Sequence, residues 1–240
     1  AAEYLKIGGF PKVVLLKYEF LRKELLAQYF DDILTKDVVA RHKVKDAAKL
    51  KNLALLYASN FTRGYTFHGV KKTADFAMSL DSVHRFSRYL EDAYMVYFLP
   101  RFSYSLKNQM QVERKVYLAD NGMHNAVAFK FSEDKGKLLE NAVYHHLRNL
   151  GREIYYFSEK NEVDFVCKDG LKVRELFNVC YSLKNKETLL REVGGLLEAM
   201  RYFKLKSSSI IVAEGQKRHI REDGMTISIV PFYEWALCVR

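Results

Sequence analysis

Asn161-Glu162-Val163-Asp164-Phe165-Val166-Cys167-Lys168-Asp169-Gly170-Leu171-Lys172-Val173-Arg174-Glu175-Leu176-Phe177-Asn178-Val179-Cys180-Tyr181 is the stretch on which the fold turns. Two β-rich runs, 162–167 and 172–180, flank Lys168-Asp169-Gly170, a turn signal between paired strands. Asp164 stands between Val163 and Phe165. Core packing does not account for a carboxylate at the centre of an apolar strand, because burying one without partners is costly. Asp164 is therefore the sharpest site signal in the chain. The second run leaves two registers open. If Glu175 is the acid that accompanies Asp164, the position two residues on is Phe177. If Asn178 holds that place, the position two residues on is Cys180. Side chains alternate along a strand, so Glu175 and Asn178 face opposite ways.

Outward from this hairpin, the spacing of Leu138, Leu139, Val143 and Leu147 predicts a helix over 134–150, stopped by Gly151. A strand over 153–157 precedes the hairpin. A helix over 186–203 follows it, with Leu189, Leu190, Val193, Leu197 and Met200 apolar. Strands over 208–213 and 225–230 come next, and Pro231 opens a short final helix holding Trp235. The order αβββαβ with an extra β predicts an α/β (α+β) domain with a mixed sheet.

This order resembles the restriction-endonuclease-like core of the PD-(D/E)xK nucleases. The resemblance implies a divalent ion, Mg²⁺, held by an acid on the first helix, an Asp on the second strand and E-x-K on the third. Hard oxygen ligands suit Mg²⁺, and the Lys stabilises the attacking hydroxide or the phosphorane charge. Glu140, Asp164 and Glu175 are the catalytic candidates, with Asp164 and Glu175 as metal ligands. Neither register supplies the Lys, so the implied state is a retained fold with a vestigial or purely binding site. The alternative is a Mg²⁺-dependent nuclease using those three acids. Cys180 reads as a buried structural thiol rather than a reactive one.

Upstream, residues 46–120 read as three helices and a basic hairpin, the order of a winged helix-turn-helix. Leu50, Leu53, Leu55, Leu56 and Tyr57 mark the first helix, 68–76 the second. The third starts near Ser79 or Asp81 and carries Val83, Phe86 and Leu90. Two β-rich runs, 94–99 and 115–118, are joined by a polar, basic segment over 103–114. Opposite the apolar stripe of the third helix lie Asp81, His84, Arg85 and Arg88, the face that would enter a major groove. Lys71, Lys72, Lys107, Arg114 and Lys115 would touch phosphates. A winged helix used only for protein contacts would leave the same charges solvated. Residues 1–45 hold the turn Gly8-Gly9-Phe10-Pro11 and an amphipathic helix from Leu21 to Leu34. They are too few to fold alone and are expected to pack on whatever lies upstream. The expected regions are thus 1–45, 46–120 and 121–240.

Composition agrees with a folded, basic protein. The 240 residues are 49% hydrophobic and 28% charged, with 39 Lys+Arg against 29 Asp+Glu. Arg41–Leu118 alone holds 14 basic and 6 acidic residues, a concentration that points to nucleic acid. No apolar run approaches the roughly 18 residues that span a bilayer. Three widely spaced cysteines form no CxxC pair, which argues against a zinc ribbon or a disulfide framework and for a reducing, cytoplasmic setting. No G-x-x-x-x-G-K-[ST] loop is present, so no cofactor is expected in this chain itself. The opening Ala1-Ala2-Glu3-Tyr4-Leu5 reads as the interior of a longer protein.

Several short runs, taken in order, carry a second resemblance: residues 4–11 (YLKIGGFP), 29–34 (YFDDIL) with Asp37-Val38-Val39, 88–94 (RYLEDAY), 116–122 (VYLADNG), 139–141 (LEN), 162–166 (EVDFV) and 179–181 (VCY). Together they resemble the C-terminal half of archaeal and bacterial P-loop AAA+ ATPases that carry a C-terminal domain of unknown function. The resemblance implies an upstream ATPase module with ATP and Mg²⁺ of its own, residues 1–45 as the end of its lid and connecting helix, and DNA as a partner. Bacterial relatives usually read E-V-K where this chain has Asn178-Val179-Cys180. Beside the DNA-binding reading stand a nuclease and a protein-interaction adaptor.

Overall fold

The computed structural model describes residues 2–73, 78–105, 113–128 and 134–238. The fold is mixed α+β. The chain divides into two compact units, one mainly Glu3–Phe98 with Glu113–Glu133, the other mainly Leu99–Val112 with Asp134–Arg240. This differs from the three regions expected from sequence.

In the N-terminal unit, α1 (Ala2–Ile7), α2 (Pro11–Leu15) and α3 (Glu19–Asp32) lead into a π-helical segment, Ile33–Ala40. Pro11 opens α2, where its missing N–H is no loss. The first 45 residues are not a separate piece. Val13 and Leu26 share a small core with Met123, against which Phe10, Tyr29 and Ile33 pack. Met123 lies in α7 (Asn121–Val127), so the opening helices close on the last helix of the same unit. Asp120 ties this closure. Its carboxylate accepts the Gly9 N–H at 2.6 Å and the Gly122 N–H at 2.7 Å. Gly8 has φ +79°, and a Cβ there would overlap the Asp120 carboxylate. Only glycine satisfies both demands. Two of the runs behind the second resemblance, Gly8-Gly9 and Asp120-Asn121-Gly122, are thus two halves of one contact.

The rest of this unit runs α4 (Ala47–Ser59), β1 (Gly64–Tyr65), α5 (Phe67–Thr73), α6 (Leu80–Asp92), β2 (Val96–Pro100) and β3 (Arg114–Leu118), with sheet order β1-β3-β2. Ser79 caps α6, accepting the Ser82 N–H at 3.1 Å. Leu50, Leu53 and Tyr57 of α4 and Val83, Phe86 and Leu90 of α6 are buried. The Tyr57 hydroxyl meets Ser87 Oγ at 2.7 Å inside that core. The two-residue β1 was not expected from sequence, because two residues cannot display an alternation. β2 starts at Val96 rather than Tyr94, whose φ of +55° makes it a turn residue.

The C-terminal unit is α8 (Lys135–Asn149), β4 (Glu153–Ser158), β5 (Glu162–Asp169), β6 (Lys172–Ser182), α9 (Lys186–Phe203), β7 (Ser207–Glu214), β8 (Arg218–Glu222), β9 (Met225–Pro231) and α10 (Phe232–Cys238). Its sheet has the order β4-β5-β6-β7-β9-β8. The pairs β4/β5, β5/β6 and β8/β9 are antiparallel, while β6/β7 and β7/β9 are parallel. Parallel neighbours need a crossover, and α9 supplies it between β6 and β7. Leu196, Leu197 and Met200 of α9 pack with Val166, Leu176, Ile210 and Ile229 of the sheet. Phe165 and Phe177 instead meet Tyr144 of α8 and Trp235 of α10, so helices cover both faces. The unexpected β8 is an edge strand with only Ile220 half-buried, and its charges hide any strand pattern while guarding the edge. No helix among the described residues is long and apolar enough to cross a membrane.

Candidate functional site

Register decides what accompanies Asp164. Phe165 pairs with Phe177, which sets Asp164 opposite Asn178. The Asp164 N–H donates to Asn178 Oδ1 at 3.2 Å, and the Val179 N–H donates to Asp164 Oδ2 at 2.9 Å. Of the two registers the sequence left open, the one observed is therefore that in which Asn178 accompanies Asp164, with Cys180 two residues on. Glu175 does not join them. It pairs with Cys167 across the ladder, and its carboxylate lies 3.4 Å from Arg152 Nε. The expectation that Glu175 is a catalytic acid and a metal ligand is corrected: its odd place on β6 turns it to the other face.

Glu192 of α9, unsuspected from sequence, brings a second carboxylate to Asn178. Asn178 Nδ2 donates to Glu192 Oε2 at 2.8 Å and to the Glu192 carbonyl at 3.3 Å. Arg191 Nη2 donates to Glu192 Oε1 at 2.7 Å. Burial raises the Glu192 carboxyl above the usual range, and the Asp164 charge adds to the rise, while Arg191 and Asn178 oppose it. Gly195 brings α9 this close. A Cβ there would stand 3.1 Å from the Glu162 carbonyl, tighter than side chains normally allow. The sequence held one signal for Glu192: it falls three residues after Leu189 and four before Leu196, on the apolar stripe.

Glu140, Lys160, Asp164, Cys180, Arg191 and Glu192 line one open cavity of about 750 Å³. Burial and the neighbouring Glu192 and Asp164 charges push the Cys180 thiol up, the opposite of what a reactive thiolate needs. The donor set does not fit the Mg²⁺ centre implied by the resemblance. Asn178 turns its NH₂ toward Glu192, and its oxygen is taken by a backbone N–H. Among the described residues no three His, Cys, Asp or Glu side chains are grouped to hold a metal ion. What the cavity presents is the neighbouring carboxylates of Asp164 and Glu192, with Glu140 and Glu162 also on its wall and the exposed cations of Lys160 and Arg191 at its rim.

In the N-terminal unit, Asp81, His84, Arg85 and Arg88 all emerge on the exposed face of α6, and Lys71 and Lys72 are exposed at the end of α5. Arg88 is 80% exposed and lies 3.9 Å from Asp92, a contact too loose and solvated to hold it. Arg114 is half-buried, with its guanidinium 5.9 Å from the Phe67 ring, which in turn lies 4.1 Å from the His84 ring. Lys115 is a correction. It is only 2% exposed and pairs with Gly64 of β1, so it does not reach a phosphate. Lys107 lies outside the described residues.

Residues 1–134 match the family model of a domain of unknown function, DUF8612. An uncharacterized protein of Methanocaldococcus jannaschii is 33% identical over 253 residues, covering 98% of this chain and 55% of its own. An uncharacterized protein of Haemophilus influenzae is 28% identical over 196 residues, covering 79% of this chain and 49% of its own. The chain thus spans about half the length of the curated relatives it matches. No solved structure matches it. Since the family model covers more than half of the sequence and the archaeal relative aligns with nearly all of it, the chain belongs to the DUF8612 family.

Proposed function

We propose that this chain is a DNA-binding region, a winged helix-turn-helix joined to a restriction-endonuclease-like domain whose own site binds rather than cuts. The observation that carries this reading is the order α4-β1-α5-α6-β2-β3 with sheet order β1-β3-β2. It leaves the His84, Arg85 and Arg88 face of α6 open to solvent. A helix so presented, in a basic unit, suits the major groove of a duplex. The nuclease-like reading draws support from the αβββαβ order and from Glu140 and Asp164 on one cavity. The case against cleavage rests on Asn178 and Cys180 at the places of the acid and the lysine. Loss of one electrostatic stabiliser commonly costs about 10²- to 10³-fold in rate. The twofold greater length of the relatives leaves room for the ATPase module of the second resemblance, where ATP and Mg²⁺ would act.

The test pairs two assays on the chain. Fluorescence anisotropy with a labelled duplex should show salt-sensitive binding. Plasmid nicking with Mg²⁺ or Mn²⁺ should show none above an Asp164→Ala control. Absence of duplex binding would favour the adaptor reading. Robust nicking abolished by Asp164→Ala and by Glu192→Ala would establish that Glu192 restores the missing acid, and the nuclease reading would replace this one.

A further inference from the structure

A second basic feature of the N-terminal unit shares with the cations singled out by sequence only Arg85. The loop after the π-helical segment and the start of α6 enclose an open cavity of about 420 Å³, lined by Lys43, Lys45, Lys49, Ser79, Ser82 and Arg85 among others. His42 and Tyr89 form part of its wall and stack on each other, ring centroids 3.8 Å apart and 9° from parallel. The acid on the wall, Asp46, is engaged by Lys49 at 2.9 Å and caps α4 through the Lys49 N–H at 3.1 Å. Lys43, Lys45 and Arg85 make no ion pair with any described residue. Three cations with no ion-pair partner among the described residues, around a concavity that two hydroxyls also line, raise the local potential above that of a flat surface. Ser79 and Ser82 hydrogen-bond each other at 3.0 Å, which leaves one hydroxyl proton of the pair to donate to an incoming oxyanion.

We infer that this cavity is a phosphate-binding pocket. Lys43, Lys45 and Arg85 supply the charge, and the Ser82 hydroxyl orients the oxyanion at the start of α6. Lysines act as point charges for phosphate, while the guanidinium of Arg85 forks onto two oxygens. The stacked pair of His42 and Tyr89 fixes the loop that carries Lys43 and Lys45 against α6. Because Arg85 also belongs to the exposed face of α6, a phosphodiester of a bound duplex is the first source of that phosphate. A free phosphate compound is the other source with the same chemistry.

The test uses the chain and the double variant Lys43→Gln/Lys45→Gln, which keeps the side-chain stems and touches no buried group. Lys206→Gln/Lys217→Gln, two exposed lysines of the other unit, serves as the control for net charge. Duplex affinity is measured from 50 to 200 mM salt, and thermal midpoints are measured with and without inorganic pyrophosphate. If a phosphodiester sits in the pocket, the double variant lowers the log–log salt slope by about 1.8 relative to wild type, since each lost contact changes it by about 0.9. The control leaves the slope unchanged. If the pocket takes a free phosphate compound, pyrophosphate raises the midpoint of wild type and of the control but not of the double variant, and the duplex slope does not move. Either result supports the pocket. An unchanged slope together with no pyrophosphate effect overturns it, even where wild type binds duplex through α6. If wild type fails to bind duplex, the proposed function falls, and the pyrophosphate arm alone decides the pocket.

Discussion

Replacing Asn178 tests the reasoning about the candidate site most directly. The residue is 1% exposed and makes three hydrogen bonds: to the Asp164 N–H at 3.2 Å, to the Glu192 carbonyl at 3.3 Å and to Glu192 Oε2 at 2.8 Å. Asn178→Ala removes all three and leaves their partners half-buried beside the cavity. The two backbone bonds are worth about 1 kcal/mol each and the bond to a carboxylate about 1.5–3 kcal/mol, so the loss should be about 4 kcal/mol. With a urea dependence of about 1–3 kcal/mol per molar, the midpoint should fall by about 2 M. The single tryptophan makes the assay local: Trp235 packs 5.5 Å from Phe177 in the same unit, so its fluorescence reports that unit. Asn178→Asp is the sharper probe. It keeps the shape and the acceptor for Asp164 N–H, but sets a third carboxylate beside Asp164 and Glu192. Like charges raise the folded-state pKa values of such a cluster above the unfolded ones. The stability of this variant should therefore be near wild type at pH values below the carboxylate range and fall as pH rises through it. A loss under 1 kcal/mol for Asn178→Ala, or a pH-independent Asn178→Asp, would refute the network as drawn.

Three further outcomes follow from other parts of the molecule. Arg85→Ala/Arg88→Ala should flatten the salt slope of duplex binding by about 1.8, so the affinity loss is about tenfold greater at 50 mM than at 200 mM salt; a uniform loss would mean that neither guanidinium meets a phosphate. Glu192→Gln removes a carboxyl whose pKa burial has raised. Such a group's contribution is present below its unfolded pKa and lost as pH rises, so the variant should gain on wild type from pH 4 to pH 7 in urea titrations. Gly8→Ala forces φ +79° on a residue with a Cβ and drives that Cβ into Asp120. It should cost about 3 kcal/mol by circular-dichroism melting, whereas Gly136→Ala, with open space around its Cβ, should be neutral or better.

Much of this was legible before any coordinates. Local periodicity fixed the helix over Lys186–Phe203 to the residue, and the helix over 134–150 within one residue at each end. The strands of the central hairpin followed from β-rich runs around one turn, and Asp164 was conspicuous because an acid inside an apolar strand has no packing reason to be there. The Arg85 and Arg88 face followed from helical spacing alone. These features depend on neighbours within a few residues, which is the range over which a sequence pattern acts. What stayed hidden depends on partners far along the chain. The choice between Glu175 and Asn178 required the ladder register, since one residue of slip reverses every side chain. Glu192 reaches Asp164 only because Gly195 lets a helix approach a strand from which it is separated in sequence. Lys115 looks like a surface cation until β1, too short to announce itself, pairs over it. The Gly8-Gly9 turn and Asp120-Asn121-Gly122 read as two unrelated motifs until folding joins them. The sequence by itself thus determined which segments are helix or strand and where charge concentrates. Only the tertiary structure decided which acids share a cavity and which cations stay in water, because burial and pairing are set by contacts between segments that no local pattern records.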